Sequence, residues 1–230
     1  MPIQSLLTDL EADLGRLADP AQASAMAAYM KDHFAFFGIK APVRKALFKT
    51  YKARFRALSW EEVKDLVEAL WQYDARECQY MALDLLDLFP KAYQPDDVHL
   101  IESLITRKSW WDSVDLLAGH QFSDFARRHP AVARDAVARW RHSPNSWLRR
   151  TCLLYQLHWK QQTDWPLLQS LILENAASKE FFLQKAIGWA LREYAKTAPD
   201  AVRAFVAGHA LKPLSVREAL KGVGKKKAQD

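Results

Sequence analysis

Between Ser109 and Asp115 the chain reads Ser-Trp-Trp-Asp-Ser-Val-Asp, two indoles and two carboxylates in one short stretch. On a helix of 3.6 residues per turn, Trp110, Val114, Leu117 and Phe125 share an apolar stripe of the kind that faces a core. Trp111 and Asp115, four apart, stack on a second face about 100° away, at the border between core and solvent. A carboxylate beside an indole face suits positive charge, the one through Coulomb attraction and the other through the ring quadrupole. A second outward tryptophan, Trp189, falls on a helix predicted over 179–196. Leu183, Ile187, Ala190, Leu191 and Tyr194 make its core face, and Trp189 points nearly the opposite way. Lys185 and Arg192 flank it at i−4 and i+3. Such a tryptophan either packs against a neighbouring helix or presents its ring to a ligand lying along a cationic surface. Arg149 and Arg150 follow Trp147 on a helix with apolar residues on more than one side, so spacing does not separate phosphate-binding arginines from ordinary surface ones.

Other chemistries find less support. The histidines at 33, 99, 120, 129, 142, 158 and 209 show no metal-ligand spacing. The two cysteines, Cys78 and Cys152, form no C-x-x-C pair and read as reduced core residues. No metal and no cofactor are therefore expected. There is no P-loop, dinucleotide fingerprint or G-x-S-x-G elbow. The first residues carry Asp9, Glu11 and Asp13 without a long apolar run, unlike a signal peptide, and no stretch nears the ~20 apolar residues of a membrane span. A cytoplasmic protein is expected. The net charge of +6 fits either a polyanionic partner or simply a basic soluble protein.

The elements that must position these side chains are helices. Half the residues are hydrophobic and only 7 are glycine, which disfavours disorder and a turn-rich β fold. Asp19-Pro20 reads as an N-cap with proline at the first helical position. Ser59-x-x-Glu62, Asp74-x-x-Glu77 and Ser215-x-x-Glu218 read as capping boxes opening three helices. Asp96 and Asp97, Pro130, Ser143-Pro144, Asp164, Ser178 and Pro199 mark further starts. About a dozen helices follow, with starts every 15 to 20 residues or so, which fits HEAT-like pairs repeating at ~35 to 40 residues. The expected fold is all-α, a HEAT-like α-solenoid of about six helix pairs, curved around a basic concave groove; an irregular helical bundle is the alternative. One domain is expected over 1–221, with a frayed basic tail at 222–230.

The chain resembles the HEAT-repeat alkylpurine DNA glycosylases of the AlkD type. The residues that carry the resemblance are Ala28-Tyr29-Met30-Lys31, Phe37-Gly38-Ile39-Lys40, the Ser109–Asp115 heptad, Trp147-Leu148-Arg149-Arg150 and Trp189-Ala190-Leu191-Arg192-Glu193-Tyr194. By that resemblance Trp111, Asp115 and Trp189 are catalytic, Arg150 contacts the DNA backbone, and Tyr29 lies near the groove. Lys185, Arg192 and Arg149 join them as expected DNA-binding residues. The implied partner is double-stranded DNA bearing purines alkylated at N3 or N7, acted on by a monomer in base excision repair. An alkylated purine of this kind is cationic and leaves without a protein acid, so one carboxylate suffices. The rivals are a non-catalytic binder of branched or distorted DNA, which has no need of Asp115, and a protein-interaction scaffold, a common use of helical repeats.

Overall fold

The computed structural model describes residues 3–221, so the tail expected at 222–230 lies outside the described residues. Every named element among them is helical, and the one extended pairing is an isolated bridge between Ala35 and Ala75. No described helix is long and apolar enough to cross a membrane. The chain forms two compact units, one up to Tyr93 and one from Gln94 onward.

The first unit holds α1 (Ile3–Arg16), α2 (Pro20–Tyr29), α3 (Ala41–Arg56), α4 (Trp60–Gln72) and α5 (Arg76–Leu86). Leu6, Leu7, Leu10 and Leu14 recur at helical spacing along α1, and all four are buried. The Asp19 carboxylate accepts from the amides of Ala21 and Gln22, and Ser59 and Glu62 complete a reciprocal capping box on α4. The second expected box does not form. α5 starts at Arg76 behind Ala75, and the Glu77 carboxylate instead accepts the backbone N–H groups of Phe37, Gly38 and Ile39, at 3.0, 2.9 and 2.9 Å. Glu77 is fully buried, and three long-range amides satisfy it better than one local one. Gly38 is required in this loop: its φ is +88°, and a Cβ there would sit 2.1 Å from the Asp19 carbonyl oxygen. Tyr29 closes α2 with its ring 69% exposed.

The second unit contains α6 (Val98–Thr106), α7 (Trp111–Leu116), a π-helical turn (Leu117–Phe122), α8 (Ser123–Arg128), α9 (Pro130–Trp140), α10 (Ser146–Leu154), α11 (Trp165–Asn175), α12 (Phe181–Tyr194), α13 (Pro199–Gly208) and α14 (Pro213–Ala219). Its core runs through Val114, Leu117, Phe122, Phe125, Trp140, Leu171, Leu183, Ile187 and Leu191, all at most 1% exposed. Asp164 caps α11 as expected, whereas α10 is capped by the Asn145 side chain and not by Ser143. α12 starts at Phe181 behind Glu180, and Ser178 reaches only the Glu180 amide. Ser215 and Glu218 also form no box. Both lie within α14, where Ser215 Oγ donates to the Gln184 carbonyl of α12 and Glu218 is drawn into ion pairs.

Candidate functional site

The heptad enters its helix differently from the stripe drawn on sequence. Lys108 adopts left-handed backbone, φ +48°, ahead of the helix. Trp110 then sits in extended backbone as the N-cap of α7, its carbonyl accepting the first helical bond from Val114, so it is no member of the helical core stripe. Its indole turns instead to Trp147 of α10, 5.7 Å between centroids, and to Phe182 of α12, 5.0 Å and edge-on. Trp147 and Phe182 meet each other at 5.2 Å, which closes a three-ring cluster. Each such pair contributes about 0.5–1.5 kcal/mol beyond its buried area. The cluster ties the entry of α7 to the starts of α10 and α12.

Against this cluster lies the central polar contact of the unit. Arg150 faces Asp115 in a two-pronged pair, Nε to one carboxylate oxygen at 2.7 Å and Nη2 to the other at 2.8 Å. Its remaining nitrogen, Nη1, donates to the Phe182 carbonyl, and its guanidinium carbon lies 5.9 Å from the Phe182 ring centre. The Arg150 side chain is 5% exposed and that of Asp115 15%. All three guanidinium nitrogens of Arg150, the residue expected to touch the DNA backbone, are thus engaged within the protein. Burial pushes the Asp115 carboxyl above the ordinary carboxylate range; the hydrogen bonds and charge of Arg150 pull it back, and Asp112 adds a small upward push. Asp112 occupies the first turn of α7, where the helix dipole favours a carboxylate.

Trp111 and Asp115 are both half-buried, one turn apart on one face of α7. Trp189 is half-buried on α12. It stands seven residues beyond Phe182, which is two turns, roughly 10 Å along the axis and within about 20° of the same face. α10 packs against both α7 and α12. Lys185 and Arg192 both reach the Glu218 carboxylate of α14, each at 3.0 Å. Arg149 is half-buried, and its Nε has no hydrogen-bond partner among the described residues. Tyr29 belongs to the first unit.

Spacing did not find Phe182 or Glu218. Phe182 is one of two adjacent phenylalanines with no pattern to single it out, and Glu218 is masked by its likeness to a capping residue. Among the described residues no group of three His, Cys, Asp or Glu could hold a metal ion. Cys152 is buried with its thiol pushed up to about 12, which removes it as a nucleophile. A cavity of about 280 Å³ opens among Gln156, Leu168 and Tyr194, and Trp111, Asp115 and Trp189 do not line it.

The family model described as DNA alkylation repair enzyme matches residues 10–223. A structure titled as a predicted DNA alkylation repair enzyme from Enterococcus faecalis aligns at a TM-score of 0.85 and 35% identity, covering 91% of this chain and 98% of its own. AlkD2 from Streptococcus mutans aligns at a TM-score of 0.65 and 16% identity over 99% of this chain and all of its own. Smu.31 from Streptococcus mutans UA159 aligns at 0.60 and 18% over 80% of this chain and 96% of its own. At those identities the last two carry the fold alone, the all-α helical repeat expected from sequence. None of the curated proteins matches this chain.

Proposed function

This chain belongs to the family of DNA alkylation repair enzymes, and from that premise we propose that it is a DNA glycosylase hydrolysing the N-glycosidic bond of purines alkylated at N3 or N7, such as 3-methyladenine and 7-methylguanine. One observation carries the reading: a half-buried carboxylate, Asp115, aimed by a two-pronged arginine and set one helical turn from an indole. Arg150 occupies two of the roughly four lone-pair positions a carboxylate offers, which leaves others for a substrate atom or a water.

The chemistry needs little more. Alkylation at N3 or N7 makes the purine cationic. As the C1′–N bond breaks, its electron pair goes to the base, which leaves neutral, and positive charge moves to the sugar. Asp115 stabilises that charge and orients the water that adds at C1′ and gives up a proton. Trp111 and Trp189 lay their faces toward the deoxyribose, each worth about 0.5–2 kcal/mol and more as the sugar becomes cationic. Lys185, Arg192 and Arg149 hold phosphates of the double helix, and Tyr29 of the first unit is a further DNA-contacting residue. Arg150 works behind Asp115: it favours the ionised form that burial opposes. A monomer acting on cytoplasmic DNA completes the reading.

The test is release of free base from duplex DNA carrying 7-methylguanine. Wild type is expected to release it, and Asp115→Asn to slow release about 100-fold or more while binding duplex with similar affinity. Uracil, a neutral leaving group, is expected to stay in place. Duplex binding by wild type without any base release would leave a non-catalytic binder instead.

A further inference from the structure

α14 carries the least expected polar contact of the chain. Its Glu218 side chain is 6% exposed, yet three cations converge on it. One carboxylate oxygen accepts from Lys185 Nζ at 3.0 Å and from Lys221 Nζ at 2.6 Å, and the other from Arg192 Nη1 at 3.0 Å. The side chains of Lys185, Arg192 and Lys221 are 37%, 31% and 54% exposed. The anion therefore lies beneath and the cations above. Three positive charges against one negative leave +2, and what faces water is positive.

The backbone is arranged to bring this about. Gly188 on α12 is the close-approach point: a Cβ there would lie 2.3 Å from Glu218 Cβ and 2.9 Å from the Ser215 carbonyl oxygen. Ser215 Oγ donates to the Gln184 carbonyl at 2.9 Å and bolts α14 to the same stretch of α12. Gly188 is the residue before Trp189, and two of the three cations flank Trp189 by one turn on either side. Three like charges held this near one another repel, so without the anion their side chains have no reason to share one place. The Glu218 carboxyl is held down at about 2, chiefly by its bonds to Lys221 and Lys185, and stays ionised wherever the protein works.

We propose that Glu218 is a positioning residue that assembles Lys185, Arg192 and Lys221 into one clamp for the phosphates of a DNA strand passing beside Trp189. This rests on the reading of the site as DNA-binding, and it adds Lys221 and Glu218 to that site. A residue that only neutralised cations would weaken DNA binding; a residue that aims them strengthens it, and the two differ in sign.

The experiment is the salt dependence of binding to an undamaged duplex, which reads the clamp whether or not bases are released. Each phosphate neutralised adds about 0.9 to the slope of log affinity against log salt. Glu218→Gln makes the protein one unit more positive, and positioning nevertheless predicts weaker binding and a slope shallower by about 1 or more. Tighter binding with an equal or steeper slope overturns the proposal. Lys185→Gln, Arg192→Gln and Lys221→Gln sit at partly exposed positions and decide the matter even if Glu218→Gln fails to fold. Each is expected to lower the slope by about 0.9, and an unchanged slope for Lys221→Gln removes it from the clamp. Wild type that binds duplex but releases no base fails the glycosylase reading while leaving this measurement intact. Wild type that binds no duplex fails both.

Discussion

Asp115 and Glu218 are two carboxylates of the same unit, each largely withdrawn from water and each answered by cations; burial pushes both carboxyls up, and their net shifts run in opposite directions. Asp115 has one partner, Arg150, which is itself buried; its carboxyl is pushed up. Glu218 has three partners, all partly in solvent, and is held down at about 2. A buried ion pair loses the hydration of both members, and the carboxylate remains sensitive to anything that disturbs its partner. An anion under half-hydrated cations loses only its own hydration and is compensated several times over. The first arrangement suits a group that must meet a developing charge, and the second a group that must never change state.

The largest expected effect separates the two by activity. Asp115→Asn should abolish most base release, whereas Glu218→Gln should change release mainly through binding. Next comes the partner of Asp115. Arg150→Met leaves a carboxylate buried without its cation, which should cost about 3 kcal/mol of unfolding free energy by denaturant titration. It should also displace the acid limb of the pH–rate profile. Asp115 acts ionised, so activity falls as pH drops through its pKa; Arg150 lowers that pKa, and without Arg150 the limb should move to higher pH. A limb that stays in place would show that Asp115 does not set it.

A smaller effect tests the helix contact beneath Glu218. Gly188→Ala should destabilise by about 1–3 kcal/mol through overpacking against Glu218 and Ser215. Gly208→Ala, with nothing within 4 Å of its new methyl, should be neutral or stabilising by up to about 1 kcal/mol. The smallest effect concerns acid stability. The folded pKa of Glu218 lies below its ordinary 4.5, so its contribution is fully present above that value and is lost as pH falls toward about 2. The difference in unfolding free energy between wild type and Glu218→Gln should be constant above pH 4.5 and shrink below it.

How much of this could be read from the residues is seen best in the three Ser/Asp-x-x-Glu matches. Ser59–Glu62 forms the local box that the pattern implies. Glu77 is taken by amides 38 to 40 residues away, and Glu218 by Lys185 and Arg192, 33 and 26 residues away, together with the nearby Lys221; no local pattern encodes the distant partners. The same division runs through the candidate site. The helical pairing of Trp111 with Asp115 and the half-exposed setting of Trp189 follow from period and were legible. The role of Trp110 was not, since an N-cap lies outside the helical count. Arg150 could not be assigned because its burial is decided by Phe182 and Asp115 on two other helices. Part of the family resemblance also reports folding and not chemistry: Phe37, Gly38 and Ile39 serve to clamp Glu77.

The helix that begins at Trp111 does not continue as a plain α-helix; it widens into a π turn over Leu117–Phe122 before resuming at Ser123. A π turn closes larger hydrogen-bonded rings that pack less well than α rings. In kinetic terms this is the weak link between the segment bearing Asp115 and the anchor at Phe125. Amide hydrogens in 117–122 should exchange faster than those of the flanking α8, as exchange mass spectrometry or NMR would read. The frequency with which Asp115 is released from its fixed orientation would then be governed by opening of that one turn, well before the unit unfolds.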